Sequence, residues 1–173
     1  MLDLKIAQLG EPVLRKIAQP VENVHDRDIQ TLIDDLINKA RSSQGVGIAA
    51  PQVSQSYRLF IIASHPNERY PDAPLMEPIP MINPRIVSHS KEMVEGWEGC
   101  LSVPDRRGLV LRYQRIAVEY LNRNGILEQR ELTDFVARIF QHELDHLNGI
   151  VFLDRALEAI ELHDNPVQQE KSK

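Results

Sequence analysis

The chain has 173 residues, 42% apolar and 26% charged, enough to bury a core and unlike a disordered or fibrous polymer. Twenty Lys and Arg stand against 25 Asp and Glu, a formal charge of -5, so the basic excess that duplex binding needs is missing and no nucleic-acid partner is expected. A single Cys excludes an intrachain disulfide and a disulfide-stapled secreted scaffold.

The opening residues Met1 to Ile6 carry no basic segment followed by an apolar stretch, so no secretory signal is read there. No apolar run approaches the ~20 residues of a membrane helix. The expectation is a cytoplasmic protein without a membrane partner. There is no internal repeat. The length suits one domain, residues 1–164, followed by a polar tail over 165–173 that looks frayed.

In chain order, Asp26 or Asp28 can cap a first helix, in which Ile29, Leu32, Ile33, Leu36, Ile37 and Ala40 recur at the spacing of one buried stripe. It should stop near Gln44 and Gly45. Residues 45–52 read Gly-Val-Gly-Ile-Ala-Ala-Pro-Gln. A phosphate loop wants strand, glycines, then helix; here a helix precedes the glycines and a strand follows, and the lysine is missing. Small residues ending in Gln52 point instead to backbone lying against a substrate, with one amide aimed at it. Residues 57–63 and 81–88 are strand-like, and the proline-rich stretch 64–80 between them is a surface excursion. Residues 115–121 and 126–132 form a hairpin about Asn122 to Gly125. A second helix runs from a Thr133 cap to about Asn148, with Gly149 as its stop, and a short helix is read around Glu158 and Glu161. Strands joined by turns, not alternating with helices, give an α+β class: antiparallel β-sheets around the second helix, with an N-terminal helix.

That second helix carries His142, Glu143 and His146 as H-E-x-x-H. Residues four apart share a helix face, so both imidazoles can reach one divalent ion, with Glu143 beside it as base. At 100° per residue, Phe135, Val136, Ile139, Phe140, Leu144 and Leu147 span one half of the helix. His142 and His146 lie at its edge, beside Phe135 and Ile139. Glu143 lies inside it, while Arg138, Gln141, Asp145 and Asn148 take the opposite side. An unpaired carboxylate facing a core is costly, and a metal supplies the partner.

A tetrahedral site needs a third protein ligand. The metzincin extension fails because Phe152 stands where its third His belongs. Glu158 and Glu161 are open as gluzincin-type ligands, though no motif supports them. Cys100, in Glu98-Gly99-Cys100-Leu101-Ser102, is the other candidate: Gly99 beside it allows close backbone approach, and next to two His it is the obvious thiolate.

Together, residues 45–52, 98–102 and 141–146 resemble the three motifs of the peptide deformylase family, in the family's order, and the resemblance extends over residues 9–154. It implies an α+β fold with the motif helix among antiparallel sheets, and removal of the N-formyl group from the initiator methionine of new polypeptides. Carried over by motif, Cys100, His142 and His146 hold the metal, Glu143 is the base, and the Leu101 N–H and Gln52 side chain stabilise the oxyanion. The family is generally an Fe2+ enzyme, with Zn2+, Ni2+ or Co2+ accommodated by the same ligands. Phe135 and Ile139, with Val46 opposite, wall an apolar slot suited to methionine, Gly47 and Gly99 let backbone approach the peptide, and Arg107 matches a family arginine near the substrate. The partners implied are N-formylmethionyl peptides and transient contact with the ribosome exit region, with the enzyme a monomer. The residues after Gly149 hold five acidic side chains against three basic ones, unlike the long basic helix with which some bacterial members dock on the ribosome. Two rival chemistries remain at this point. An endopeptidase would tolerate Cys100→Ser, and a thiol hydrolase using Cys100 would tolerate Glu143→Gln and chelators.

Overall fold

The computed structural model describes residues 4–162, so the expected tail from 165 lies outside the described residues. Helix α1 spans Arg27–Ser42 and is capped by Asp26, whose carboxylate accepts the Asp28 N–H at 2.8 Å. The predicted stripe Ile29, Leu32, Ile33, Leu36 and Ala40 is buried against Ile48, Leu59 and Ile61. Helix α1 gives way at Ser43, and Gln44 turns the chain with a left-handed φ of 55° into the glycine-bearing segment.

Five antiparallel strands form the first sheet: β1 (Gly47–Ala49), β2 (Leu59–Ile62), β3 (Ile79–His89), β6 (Arg115–Leu121) and β7 (Leu127–Thr133), in that order. Alternation on β6 turns Ile116, Val118 and Tyr120 inward, where they meet Phe60, Met81 and the apolar half of helix α2 (Asp134–Leu147). Phe60 and Phe140 pack edge to face at 5.2 Å, fixing the helix on the sheet. At its C-terminal end, Gly149 takes a φ of 72°, and a Cβ there would lie 2.5 Å from the Arg15 carbonyl oxygen. Both the turn and the close approach require glycine.

A second, three-stranded sheet runs β4 (Met93–Cys100), β5 (Val103–Tyr113) and β8 (Glu158–Glu161). Strand β8 corrects the short helix read around Glu158 and Glu161: all four residues are exposed and pair with β5 from Arg106 to Leu109. So short a stretch has no strong local preference, and the open edge of β5 decides its form.

Helix α2 is held between the two sheets, so the side carrying Gln141 and Asp145 is also buried. Gln141 is satisfied as a strand neighbour would be, accepting the Tyr113 N–H at 3.0 Å and donating to the Tyr113 carbonyl at 2.9 Å. Asp145 receives Arg112 at 2.6 Å and Arg155 at 2.6 Å. A polar helix face therefore docks on a sheet because each of these groups finds its partner there.

Candidate active site and metal centre

Three chain segments converge on one point. From α2 come His142 and His146, from the bulged end of β4 comes Cys100, and their ligand atoms all lie within 4.8 Å of one another. The Cys100 Sγ is 3.3 Å from His146 Nε2. His142 uses Nδ1 on Glu98 Oε2 at 2.9 Å, which turns its Nε2 toward the same point. Glu98 in turn is gripped by Arg112 through two 2.9 Å bonds and by Arg138 through a third at 2.9 Å. Burial alone would raise the Glu98 carboxyl, but Arg112 and His142 hold it well below the usual carboxylate range.

Burial likewise pushes the Cys100 thiol up, and the neighbouring His146 and His142 more than offset it, so the sulfur is held well below its ordinary range. The His146 Nδ1 and one Glu143 oxygen, Oε2, are buried with no hydrogen-bond partner. Burial pushes the Glu143 carboxyl up to about 7, against the pull of His142 and His146. Thiolate, two imidazoles and an unsatisfied carboxylate at one buried spot fit a divalent cation, which rewards the charge otherwise costly to bury. Among the described residues, Glu158 and Glu161 stand away from this group on β8, exposed.

Gln52 belongs to a 3-10 turn after β1. Its Oε1 accepts the Ala49 N–H at 2.9 Å, which fixes the amide so that Nε2 faces Cys100 Sγ and Ser102 Oγ, each at 3.3 Å. Gly47 passes so close to α2 that a Cβ would lie 2.5 Å from Glu143 Oε1. A cleft opens here, lined by Gln52, Cys100, Leu101, His142 and Glu143 at its chemical end, and by Val46, Gly47, Gly99, Phe135 and Ile139 along its walls. His146 lies behind them, 1% exposed. Arg107 is not among the lining residues: it lies over the Tyr70 ring at 5.4 Å and donates to the Trp97 carbonyl at 3.3 Å.

Sequence reasoning gave no role to Glu98, although it stands two residues before Cys100 on one strand, the spacing that shares a face. It also missed Asn67, Arg69 and Tyr70, which the proline-rich excursion brings to the cleft. Tyr70 packs against Phe135 at 4.9 Å with the rings tilted by 52°, and its hydroxyl accepts the Gly99 N–H at 3.2 Å. No local pattern marks them, because an irregular segment is positioned only by what it packs on.

Chemistry of this kind defines a class, the hydrolases in which a helix-borne carboxylate works beside a metal held by side chains of the same helix. Comparison narrows it. The model of the polypeptide deformylase family matches residues 3–161. Peptide deformylase 2 of Nostoc sp. is 62% identical over 168 residues, 97% of this chain and 92% of the relative. Peptide deformylase 2 of Shewanella oneidensis is 50% identical, over 88% and 84%. The Met-Ala-Ser-bound crystal structure of a class I type b peptide deformylase from Acinetobacter baumannii superposes with a TM-score of 0.87 at 47% identity, covering 89% of this chain and 98% of that one. The peptide deformylase of Thermotoga maritima gives 0.81 at 37% identity, over 91% and 100%. The chain belongs to the polypeptide deformylase family, metal-dependent hydrolases that remove the N-formyl group from the N-terminal formylmethionine of polypeptides. No helix among the described residues is long and apolar enough to cross a membrane.

Proposed function

We propose that Cys100, His142 and His146 hold one divalent ion, Fe2+ in the cell, and that Glu143 is the base of the deformylation. The observation that carries this is the gathering of three donor atoms within 4.8 Å beside a buried carboxylate oxygen without a partner. A thiolate and two imidazoles also suit Zn2+, Ni2+ or Co2+, so purified protein can carry any of them. When bound, the ion supplies Lewis acidity, which lowers the pKa of water from 15.7 toward ~7 and polarises the formyl oxygen.

The rest is work for the chain's own groups. Glu143 takes a proton from the water that attacks the formyl carbon, from a buried place beside the two imidazoles where its Oε2 has no other partner. The Leu101 N–H and Gln52 Nε2 donate to the oxygen on which negative charge develops. Glu143 then passes its proton to the methionine nitrogen as the C–N bond breaks, leaving formate and a free amine. Phe135, Ile139 and Val46 receive the methionine side chain by burial of apolar surface. Strands β1 and β4 are both sheet edges, and Gly47 and Gly99 lie on them beside the cleft, so an extended N-formylmethionyl peptide can pair with exposed backbone there. Arg107, supporting Tyr70 on the cleft wall, acts on the peptide's later residues through that ring. The same reading takes residues 1–164 as one catalytic unit, monomeric and cytoplasmic, meeting new chains near the ribosome exit by transient contact.

The test is formate release from N-formyl-Met-Ala-Ser by protein purified without oxygen and loaded with Fe2+ or Ni2+. Rapid release that falls by about 10²–10⁴ in Glu143→Gln, with the metal retained, supports the assignment. Release that survives Glu143→Gln at the wild-type rate overturns the role of Glu143. No release from the metal-loaded wild type overturns the substrate.

A further inference from the structure

Resting on the deformylase reading of the cleft, we infer that Arg138 is a positioning residue: its guanidinium straps α2 to the edge strand β4 beneath Gly96, setting both the height of the peptide-facing edge and the aim of Glu98 at His142. Arg138 lies one helical turn before His142, lines the cleft, and is 11% exposed. It donates to the Val94 carbonyl at 2.6 Å, the Val110 carbonyl at 2.8 Å, the Gly96 carbonyl at 3.3 Å and Glu98 Oε1 at 2.9 Å. Charge compensation does not explain this arrangement, because Arg112 already satisfies Glu98 with two bonds of its own. Three of the four Arg138 contacts go instead to backbone carbonyls of β4 and β5. Nη1, with two hydrogens, is shared among the Gly96 and Val110 carbonyls and Glu98 Oε1, while Nη2 serves Val94, so the two ends of the guanidinium span acceptors that a lysine, with all its donors on one nitrogen, does not reach together.

Gly96 is the other half of the device. An added Cβ would lie 2.7 Å from the Arg138 guanidinium carbon and 2.9 Å from Nε and Nη2. Its φ is outside the left-handed region, so an alanine here meets no backbone strain and must instead displace the hydrogen-bonded guanidinium. Strand β4 pairs on one side only, with β5, and its last residues, Glu98, Gly99 and Cys100, face the cleft, with a bulge between Glu98 and Cys100 that interrupts the pairing. Among the described residues, the segment that carries Cys100 and the peptide-facing edge meets α2 at Glu98 through His142, at Cys100 through His146, and further along at the Val94 and Gly96 carbonyls through Arg138.

The experiment is a double-mutant cycle on Co2+-loaded protein with Arg138→Ala, Gly96→Ala and the pair. It reads kcat and KM for N-formyl-Met-Ala-Ser, and the Co2+ dissociation constant by chelator competition. Arg138→Ala is expected to raise KM about tenfold with kcat within about threefold, and to weaken Co2+ binding about tenfold, the scale of losing support around a metal ligand. Gly96→Ala is expected to move KM and Co2+ affinity in the same direction with Arg138 present, and to cost less than about threefold once Arg138 is alanine. The inference is overturned if Arg138→Ala leaves both KM and Co2+ affinity within about twofold of wild type, or if Gly96→Ala costs the same in both backgrounds. Should Arg138→Ala fail to fold, Arg138→Lys replaces it; it keeps the charge, and recovery of wild-type KM and Co2+ affinity by that variant also overturns the strap. Absence of formate release from the wild type defeats the deformylase reading alone, since the Co2+ cycle still tests the strap.

Discussion

Gly47→Ala is a small change with a large expected consequence. The glycine sits on β1 where the strand crosses α2, and an ideal Cβ would stand 2.5 Å from Glu143 Oε1, 3.0 Å from Glu143 Cδ and 2.9 Å from Ile139 Cγ2. Ordinary contact begins at 3.4 Å, so the carboxyl would have to retreat by about 0.9 Å. It has little room, being 3% exposed. A displacement of ~1 Å at a reacting group costs about 10²-fold in rate. Overpacking a dense interior costs roughly 1–3 kcal/mol, and about 2–4 °C of Tm per kcal/mol is expected for a chain of this size. The assays are kcat/KM for formate release, Tm by thermal melting, and metal content. The expected pattern is a loss of about a hundredfold in kcat/KM with metal retained and a modest fall in Tm. Adding Ile139→Ala removes one clash and leaves the one with the carboxyl, so the rate should stay low. Gly47→Ala with kcat/KM within about threefold of wild type would refute the claim that this contact fixes Glu143.

Three further outcomes are expected. Gln52→Leu removes an amide donor fixed by the Ala49 N–H, and kcat should fall about 10²–10³-fold with little change in metal content, measured by steady-state kinetics and metal analysis. Arg112→Met leaves Glu98 to Arg138 and Asp145 to Arg155, so the loss should sit near the low end of the usual range, about 3 kcal/mol, seen as a lowered denaturant midpoint; an unchanged midpoint would show that Arg138 and Arg155 suffice. The hydrogen bond from Arg15, against a smaller effect of burial, holds the Asp154 carboxyl below its ordinary range. A depressed folded-state value stabilises above the unfolded-state pKa and is lost as pH falls through the folded one. Asp154→Asn should therefore be less stable than wild type near neutral pH, with the gap closing in acid below the ordinary carboxylate range; a gap that persists there counts against the pair.

Much of the candidate site was legible in the sequence because its pattern is local. Two His and a Glu at helical spacing declare a shared face, the buried stripe of α1 and the hairpin after Leu121 follow period and turn chemistry, and His142 and His146 fall at the edge of the apolar half of α2 where the structure has them. Tertiary structure decided what period and composition leave open. The third member of the cluster comes from a distant strand, and elimination had left Glu158 and Glu161 standing beside Cys100; only the docking of β4 on α2 gathers the sulfur with the imidazoles and leaves those carboxylates exposed on β8. The side of α2 bearing Arg138, Gln141 and Asp145 reads as polar, yet it is covered by a sheet whose Arg112, Glu98 and backbone carbonyls complete its hydrogen bonds. Tyr70 and Arg69 reach the cleft from a segment with no periodicity at all. Spacing along the chain determines which side chains share a face, since helix and strand geometry are local. Which distant groups meet that face depends on partners far apart in sequence, and no local pattern records them.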